Sequence, residues 1–318
     1  MLDSRPFNRL LGRRLALRAI LATLGASVAG CEPSQPNAQN YDPQLNSQSN
    51  NPLNDYHFAV HPLHNPSRLF DLFQPLMDYL NQQLPQAHFH LEASRDYAAF
   101  EEKLAQGQVE FALPNPYQTL QAIQSGHYQV FAKMGDDHNF RGIILVRADS
   151  PITEVRDLKG KTISYPAPTA LAATMMPQYF LYQHGLDIQK QTQSLYVGSQ
   201  ESAIMNVLHG EADAGATWPP PWELLTQQHP EIKRQLRVQW QTDPLPNNSL
   251  VARKDLPRAL VLQVQKVFSE LHQHPQGQAI LHGLYLSKFE VANDQTYQPV
   301  ERFLNDFRSQ IRDPSSAQ

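Results

Sequence analysis

Cysteine is almost absent from this sequence, since Cys31 is the only one in 318 residues. A disulfide bond within one chain is therefore impossible. A strong excess of charge is also missing, because 26 basic and 30 acidic side chains leave a net charge of −4. This balance gives no electrostatic footprint for nucleic acid, so we predict no nucleic-acid partner.

Motifs that mark catalytic centres are missing as well. The sequence contains no Gly-x-Ser-x-Gly and no His-Glu-x-x-His, and its single cysteine lies near the N-terminus. Catalytic triads can form from distant residues, so this absence does not exclude a hydrolase, but nothing in the sequence favours one. We predict no catalytic residue.

The histidines are the feature that could indicate a metal site. His57, His61 and His64 cluster near the start of the globular part, and His88 and His90 share one face of a predicted strand. No carboxylate stands beside them at ligand spacing, and histidine is common throughout, with 13 in the chain. We therefore predict no metal site, and we predict no cofactor.

A long apolar run is also lacking. The stretch from Leu15 to Ala29 is short, follows a basic segment and is interrupted by Arg18, so it is a poor membrane span. It ends in Val28-Ala29-Gly30-Cys31, which resembles the bacterial lipobox, where cleavage leaves a lipid-bearing cysteine. The pattern predicts a signal peptide over 1–30, lipidation of Cys31, and a periplasmic protein anchored to the inner or outer membrane. The alternatives are an uncleaved anchor or a plain signal peptide.

Proline, glutamine, asparagine and serine dominate the next segment, residues 31–54. A segment with so little apolar content cannot bury enough surface to become ordered, so we predict a disordered tether. The whole chain is 41% hydrophobic and 18% charged, which is typical of a soluble globular protein. Its length allows two domains or one bilobed unit.

Strand and helix patterns alternate from Tyr56 onward. This alternation predicts βαβ units and largely parallel sheets, hence an α/β fold. The apolar run 142–147 is interpreted as the crossing between two lobes. We predict lobe 1 at 55–145 and 245–318, and lobe 2 at 146–244.

The segment from Asp157 to Pro177 organises the second lobe. A polar turn leads into the strand Thr162–Tyr165, and a Pro-Ala-Pro loop then opens a helix near Thr169. The helix N-terminus offers unpaired N–H groups and the positive end of a dipole. Since ligands of α/β folds bind at the carboxyl edge of the sheet, we expect a small ligand here.

Several short motifs appear in the order and spacing of one protein family. They are Gly107–Ala112 after Tyr97, Pro114–Tyr117, Ile144–Pro151, Asp157–Lys161, Gly185–Asp187, Val197–Ser199 and Gly210–Ala214. Over about 56–290 the chain resembles the periplasmic substrate-binding proteins of phosphate, phosphite and phosphonate ABC transporters. The resemblance implies a type II periplasmic-binding-protein fold, with two α/β lobes, two hinge strands and a cleft that closes on its ligand. It also implies binding without catalysis and an ABC permease as partner. We also predict a monomer.

The resemblance also implies an oxyanion pocket, from which this sequence departs. The family's Ser-Thr-Ser at the start of the central helix aligns with Ala170, Leu171 and Ala172, which carry no hydroxyl. The family's Tyr-x-Ser reads Phe140-Arg141-Gly142, and its histidine reads Gln200. Losing about three charge-assisted bonds of roughly 1.5–3 kcal/mol each costs several orders of magnitude in affinity. We therefore expect either an oxyanion held differently or a different small polar or aromatic ligand.

The predicted ligand-binding residues combine these motifs with aromatic and charged side chains nearby. They are Tyr97, Tyr117, Arg141, Thr169, Ala170, Leu171, Ala172, Gln200, Glu201 and Trp218. The alternatives are structural: core packing for the tyrosines, loop anchors for Trp218 and Trp222, and a surface or inter-lobe salt bridge for Arg141. Thr169 could be only an N-cap, and Glu201 could only favour the first turn of its helix.

The sequence predicts a lipid-anchored substrate-binding protein of an ABC transporter. The alternative is a ligand-sensing lipoprotein that acts on a membrane signalling partner through the same cleft. An enzyme built on this fold is a third, weaker alternative.

Overall fold

Two β-sheets flanked by helices make up the part of the chain that the computed structural model describes, residues 54–314. The predicted signal peptide, the lipidation site Cys31 and the predicted tether up to residue 53 lie outside the described residues. Within residues 54–314, no helix has both the length and the apolarity that a membrane crossing requires.

Residues 54–314 contain eleven strands and eleven α-helices. The strands are β1 (Asn54–Val60), β2 (Ala87–Ala93), β3 (Phe111–Leu113), β4 (Tyr128–Met134), β5 (Ile143–Arg147), β6 (Thr162–Tyr165), β7 (Gln193–Tyr196), β8 (Ala214–Thr217), β9 (Leu236–Gln241), β10 (Ser249–Arg253) and β11 (Phe289–Val291). The helices are α1 (Pro66–Gln83), α2 (Tyr97–Ala105), α3 (Pro116–Gln124), α4 (Met176–Gln183), α5 (Ile188–Gln191), α6 (Gln200–Leu208), α7 (Pro219–Gln228), α8 (Pro230–Gln235), α9 (Arg258–Glu270), α10 (Pro275–Gly283) and α11 (Gln298–Gln310).

The first sheet has six strands in the order β11-β4-β10-β3-β1-β2. Its β1 pairs in parallel with β2 and β3, while β10 runs antiparallel between β3 and β4, and β11 runs antiparallel to β4. The second sheet has the order β7-β6-β8-β5-β9. Its β6 pairs in parallel with β7 and β8, whereas β5 is antiparallel to both of its neighbours. The α/β class is confirmed, and both sheets are mixed.

The second sheet is buried on both faces because successive residues of a strand point in opposite directions. In β5, Ile144 packs into one apolar cluster with Ile163 and Leu181. Its neighbour Leu145 packs into a second cluster with Val207 on the other face. The continuous apolar sequence of β5 is therefore the pattern of a strand covered by helices on both sides.

The chain passes between the two sheets in two neighbouring segments. The segment before β5 and the segment before β10 are hydrogen-bonded to each other, since the Leu245 N–H donates to the Phe140 carbonyl at 3.0 Å and the Thr242 N–H to the Gly142 carbonyl at 2.9 Å. All of β5 lies in the second sheet, while the predicted lobe boundary at 145/146 falls inside this strand. Helix α11 follows the last strand of the first sheet, and its Phe303 contacts Tyr179 of α4.

Two local predictions need correction. The proline-rich run after Trp218 was expected to be a loop, but it begins α7, with prolines at the first helical positions. Proline suits this place because its missing N–H would have no helical partner anyway. Thr169 is not an N-cap: the central helix begins as a π-helical turn at Leu171, with Ala170 at the cap position.

Candidate ligand-binding site

A small cavity lies where the carboxyl ends of β1 and β3 meet the start of the central helix of the second sheet. Six predicted residues line it, namely Tyr97, Ala170, Leu171, Ala172, Gln200 and Trp218. Five further residues complete the lining, namely His61, Asn115, Phe140, Ala173 and Asn248. The cavity volume is about 20 Å³. That is room for about one water molecule, so the two lobes are closed on each other.

Within the described chain, no side chain caps the N-terminus of the central helix, which lies at the cavity. The N–H groups of Thr174 and Met175 both donate to the Ala170 carbonyl, at 2.8 and 3.3 Å, which closes the π-helical turn. The first N–H groups of a helix have no intrahelical acceptor and carry its positive dipole end. The backbone thus offers donors here, but Ala170, Leu171 and Ala172 add no hydroxyl to them.

Apolar side chains fill the cleft between the lobes. Leu171 and Trp218 are 1% and 3% exposed, and both belong to one continuous core with the side chains of the first sheet. The Trp218 ring meets Phe140 edge to face, with 5.6 Å between ring centroids. The lobes are therefore joined by hydrophobic burial in the place where the family resemblance implies a polar pocket.

Gln200 uses its amide to tie the two lobes together. Its Oε1 accepts a hydrogen bond from the Thr217 hydroxyl at 2.8 Å, and its Nε2 donates to the Tyr97 hydroxyl at 3.4 Å. Asn115 makes a second inter-lobe bond, because its Nδ2 donates to the Thr169 carbonyl at 3.2 Å. These buried groups are satisfied within the protein, as buried polar groups usually are.

Thr169 lies behind the cavity and does not line it. Its hydroxyl donates to Oε1 of Glu101 in α2 at 2.5 Å, and the Gln118 amide donates to the same oxygen at 3.1 Å. Burial raises the pKa of Glu101, and these hydrogen bonds oppose that shift only in part. Thr169 therefore serves in this structure as a contact between the lobes.

Glu201 also lies outside the cavity lining, in an ion pair between the lobes. Its Oε1 lies 2.8 Å from Nδ1 of His64, which is only 5% exposed. Burial alone would raise the pKa of Glu201, but the hydrogen bond and charge of His64 bring it below its ordinary value. The other carboxylate oxygen, Oε2, is buried without a hydrogen-bond partner among residues 54–314.

Two predicted residues, Tyr117 and Arg141, and the nearby Trp222 are not cavity residues. Tyr117 is a core side chain whose hydroxyl accepts a hydrogen bond from the Gln121 amide at 2.8 Å. Trp222 packs under α7 in the second-sheet core. Arg141 is half-buried, and its Nε is buried without a hydrogen-bond partner among the described residues. The structure thus leaves Tyr117, Arg141, Thr169 and Glu201 outside the cavity.

The cavity carries no formal charge at neutral pH. None of the lining residues within the described chain is an arginine, lysine, aspartate or glutamate. His61 is the one titratable imidazole there, and burial lowers its pKa to about 4, only partly opposed by its bond to the Leu113 carbonyl. Its ring is therefore neutral at pH 7 and cannot form an ion pair with an anionic ligand.

Asn248 is a lining residue whose amide oxygen has no hydrogen-bond partner among residues 54–314. Its Nδ2 donates to the sulfur of Met134 at 3.5 Å, while its Oδ1 is buried without a partner among residues 54–314. A buried amide oxygen without a partner costs roughly 1–3 kcal/mol, so a ligand that donates a hydrogen bond to it gains that much.

Five cavity residues were missed by the sequence interpretation. His61 and Asn115 directly follow the strands β1 and β3, so their position at the carboxyl edge of the sheet was a usable signal. Phe140 and Ala173 adjoin residues that were predicted. Asn248 precedes β10, far along the chain, and its sequence surroundings gave no signal.

Gly142 is packed closely against the start of the central helix of the second sheet. A Cβ atom at this position would lie 2.6 Å from the Ala172 carbonyl oxygen and 2.6 Å from Cγ of Pro177. The serine that the family resemblance implies here does not fit without movement of the central helix. Gly142 and Ala172, two positions at which the sequence differs from the family's pattern, are therefore in direct contact.

The comparisons with known proteins agree with this architecture. A family model described as "ABC transporter, phosphonate, periplasmic substrate-binding protein" matches residues 58–297. The phosphonates-binding periplasmic protein of Escherichia coli K12 is 21% identical over 215 residues, which are 65% of this chain and 63% of that protein. The tetrathionate sensor histidine kinase TtrS of Salmonella typhimurium LT2 is 28% identical over 154 residues, which are 46% of this chain and 26% of that protein.

A solved structure shares the fold. PhnD1 of Prochlorococcus marinus MIT 9301, in complex with methylphosphonate, superposes with a TM-score of 0.73 and 20% identity, covering 80% of this chain and 98% of that chain. At this identity the likeness shows the fold alone. The two-lobed type II periplasmic-binding-protein architecture expected from the sequence is confirmed.

Proposed function

The chain belongs to the family of periplasmic substrate-binding proteins of phosphonate ABC transporters, and from this premise we propose that it captures a small molecule outside the cytoplasm and delivers it to an ABC permease. The family match over residues 58–297 and the cavity between the lobes support this role. We propose further that lipidation of Cys31 anchors the protein to a membrane and that it acts as a monomer. The lipobox-like sequence Val28-Ala29-Gly30-Cys31 supports the anchor.

We propose that the ligand of this protein is a small molecule with hydrogen-bond donors, uncharged or cationic, instead of a phosphonate dianion. The observation that carries the proposal is the uncharged cavity, lined by polar and apolar side chains, with the unpartnered Oδ1 of Asn248. A donor group of the ligand would bond to this oxygen, and Tyr97, Phe140 and Trp218 would cover its apolar part or stack on a cation.

Magnitudes favour this ligand class over an oxyanion. The N-terminus of the central helix stabilises an anion by about 0.3–1 kcal/mol, and by at most about 2 in a partly buried geometry. The three charge-assisted hydrogen bonds that the resemblance implies would contribute roughly 4–9 kcal/mol together. Since Ala170, Leu171 and Ala172 lack the hydroxyls, the remaining dipole falls short of that sum.

Ligand entry requires the lobes to separate, because the closed cavity is about 20 Å³. Opening breaks the inter-lobe bonds Gln200–Tyr97, Asn115–Thr169 and His64–Glu201. Neutral hydrogen bonds are worth roughly 0.5–1.5 kcal/mol each in water. The ligand must offset these bonds, the His64–Glu201 pair and the apolar contact of Leu171 and Trp218 with the first lobe.

Ligand titration with thermal unfolding and calorimetry tests the ligand class. The purified chain is titrated with phosphate, phosphite and methylphosphonate, then with amines, amino acids and aromatic cations. A ligand at about 1,000 times its Kd adds about 4 kcal/mol of stability, which is a readily measured rise in Tm. We expect no rise with the three oxyanions and a rise with a donor-bearing ligand. Micromolar binding of an oxyanion would overturn the changed ligand class but leave the transport role intact.

A matched variant separates the altered triplet from the rest of the site. Ala170→Ser, Leu171→Thr and Ala172→Ser together restore hydroxyls at the helix N-terminus. We expect the triple variant to gain measurable binding of methylphosphonate over the parent chain. Ala98→Ser, at an exposed position of α2 outside the cavity lining, is a control that should gain none. No gain in the triple variant would mean that the hydroxyls are not what the pocket lacks.

A second candidate function is ligand sensing for a membrane signalling partner. The similarity to the tetrathionate sensor histidine kinase TtrS supports it, although the alignment covers 46% of this chain. Reconstitution discriminates the two roles: a transport partner shows ligand-dependent ATP hydrolysis, and a signalling partner shows ligand-dependent autophosphorylation. The family match favours transport.

A further inference from the structure

Two histidines and an aspartate meet on the exposed face of the first sheet, at the edge formed by β2. The parallel register pairs Asp55 with His88 and His57 with His90. Paired residues, and residues two apart on one strand, point to the same face, so all four side chains share it. Asp55, His88 and His90 remain 64%, 44% and 45% exposed, so solvent reaches their polar atoms.

Three ligand-type atoms converge in this cluster. Nε2 of His90 lies 2.9 Å from Oδ1 of Asp55, Nδ1 of His88 lies 3.3 Å from the same oxygen, and the two nitrogens are 2.8 Å apart. Every pair of the three atoms is thus in contact. A single point between them is within bonding reach of one oxygen and two imidazole nitrogens.

Neutral imidazoles cannot satisfy all three contacts by hydrogen bonding. Each of these nitrogens carries either one N–H or one lone pair, and the carboxylate oxygen only accepts. If both nitrogens donate to Asp55, two N–H groups oppose each other at 2.8 Å. If one nitrogen instead keeps its lone pair, its contact with the carboxylate oxygen contains no hydrogen, because both atoms only accept hydrogen bonds. A cation at the centre satisfies one lone pair from each of the three atoms.

We propose that Asp55, His88 and His90 bind a divalent transition-metal ion of the borderline class, such as Zn²⁺. Imidazole and carboxylate are the ligands that suit this class. Bonds of about 2.0–2.2 Å in a tetrahedral site place ligand atoms roughly 3.3–3.5 Å apart. The observed spacings of 2.8–3.3 Å need a widening of a few tenths of an ångström, which exposed side chains can supply. Three protein ligands leave the fourth position to water or to another donor.

His57 stands next to this cluster as an additional imidazole. Its ring centroid lies 5.9 Å from that of His90, and its Nδ1 lies 3.3 Å from Oε2 of Glu110. Glu110 is itself held by Arg253 at 2.9 Å, which fixes the carboxylate. His57 therefore flanks the proposed site without being one of its three ligands.

The proposed metal site is distinct from the ligand cavity. Asp55 lies near the amino end of β1, and the cavity residue His61 lies beyond its carboxyl end. Six residue steps along the strand separate them by about 20 Å. The bound ion would join the edge strand β2 to β1 and so stabilise the edge of the sheet. It would not contact the transported molecule.

Metal titration of the full chain without an added histidine tag tests the proposal. We expect one Zn²⁺ per chain to bind with a saturable isotherm, and Co²⁺ to give visible bands of low-symmetry coordination. The His88→Ala/His90→Ala variant should bind Zn²⁺ at least about tenfold more weakly, since even the loss of a group supporting a metal ligand costs 10–100-fold. Asp55→Asn keeps the shape and should weaken binding in the same direction.

A second readout and a matched control keep the test decisive. Zn²⁺ should raise the Tm of the parent chain and leave the Tm of the double variant unchanged. His229 and Glu231 form another exposed pair, 3.4 Å apart, with one imidazole only, so His229→Ala should leave Zn²⁺ binding unchanged. Unaltered binding in the double variant, or an equal loss in His229→Ala, would overturn the proposal. Failure of the proposed transport function would leave this result unaffected.

Discussion

At the carboxyl end of the first sheet, His61 and Asn115 are buried and bonded within the protein, whereas at its amino end Asp55, His88 and His90 stand in solvent. Burial explains the difference. A buried polar group without a hydrogen-bond partner lowers the stability of the fold, whereas an exposed polar group forms hydrogen bonds with water. The cavity therefore satisfies most of its own polar groups and is uncharged. The exposed cluster keeps atoms that can take a ligand without breaking the core.

The largest expected effect is the loss of stability when Trp218, one of the apolar side chains that fill the cleft between the lobes, is replaced. Trp218→Ala should lower the free energy of unfolding by about 3–5 kcal/mol, because a buried aromatic ring is removed and its contact with Phe140 is lost. Urea unfolding at neutral pH measures it. The control Phe70→Ala removes a side chain that is 41% exposed and should change stability by about 0.5 kcal/mol or less. Equal small effects would mean that the filling of the cleft is not a stabilising core.

The second effect concerns pH and His61. Because burial lowers the pKa of His61 to about 4, the imidazole stabilises the fold fully above its ordinary pKa of 6.5, and this contribution is lost as the pH falls towards 4. The loss amounts to about 3 kcal/mol. His61→Gln should flatten the decline of unfolding free energy between pH 7 and 4. His138→Gln, on the exposed surface, should keep the parent profile. A parental decline in His61→Gln would contradict the assignment.

The third effect tests the close contact at Gly142. Gly142→Ser should destabilise the protein by roughly 1–3 kcal/mol, because its Cβ meets the Ala172 carbonyl and Pro177 at 2.6 Å. Thermal unfolding measures the loss. Gly283→Ser, where no atom lies within 4 Å of the new Cβ, is the matched control and should be close to neutral. A Gly142→Ser variant as stable as the parent chain would show that the central helix can shift at little cost.

The smallest effect is expected at the exposed cluster in metal-free buffer. Asp55→Asn should leave the Tm unchanged, because Asp55 is solvent-exposed and its contacts with His88 and His90 are screened by water. The same variant should lose the rise in Tm that Zn²⁺ causes in the parent chain. A drop in Tm without metal would mean that the cluster stabilises the sheet by hydrogen bonding, and the contrast between the two ends would be weaker.

Much of the fold was predictable from local patterns. The strand β6 (Thr162–Tyr165) has the predicted bounds, and α1 follows the helical spacing of Leu69, Phe73 and Leu80. Such patterns are local, because the apolar residues on the buried face of a helix or strand recur at a fixed spacing along the chain. The start of α7 was missed because its prolines were interpreted as a loop, although proline is also favoured in the first helical turn.

The candidate site was predictable in part. The alignment with the family's central helix predicted Ala170, Leu171 and Ala172 as site residues, and the family resemblance predicted Tyr97 and Gln200. All five line the cavity. Other candidates of suitable chemistry, such as Thr169 and Glu201, proved to be contacts between the lobes. Residue type and approximate position did not distinguish a side chain that lines a cavity from one that lies a few ångströms behind it.

The sequence by itself determined the α/β class, the order of most elements and the resemblance to one family of binding proteins, because these depend on periodicity and on motifs close together in the chain. Only the tertiary structure decided that Asn248 faces the cavity and that Asp55 reaches His88 and His90. The carboxylate that the histidines lack in the sequence comes from the neighbouring strand through the register of β1 and β2. Strand pairing fixes such distances, and the separation of residues along the chain does not.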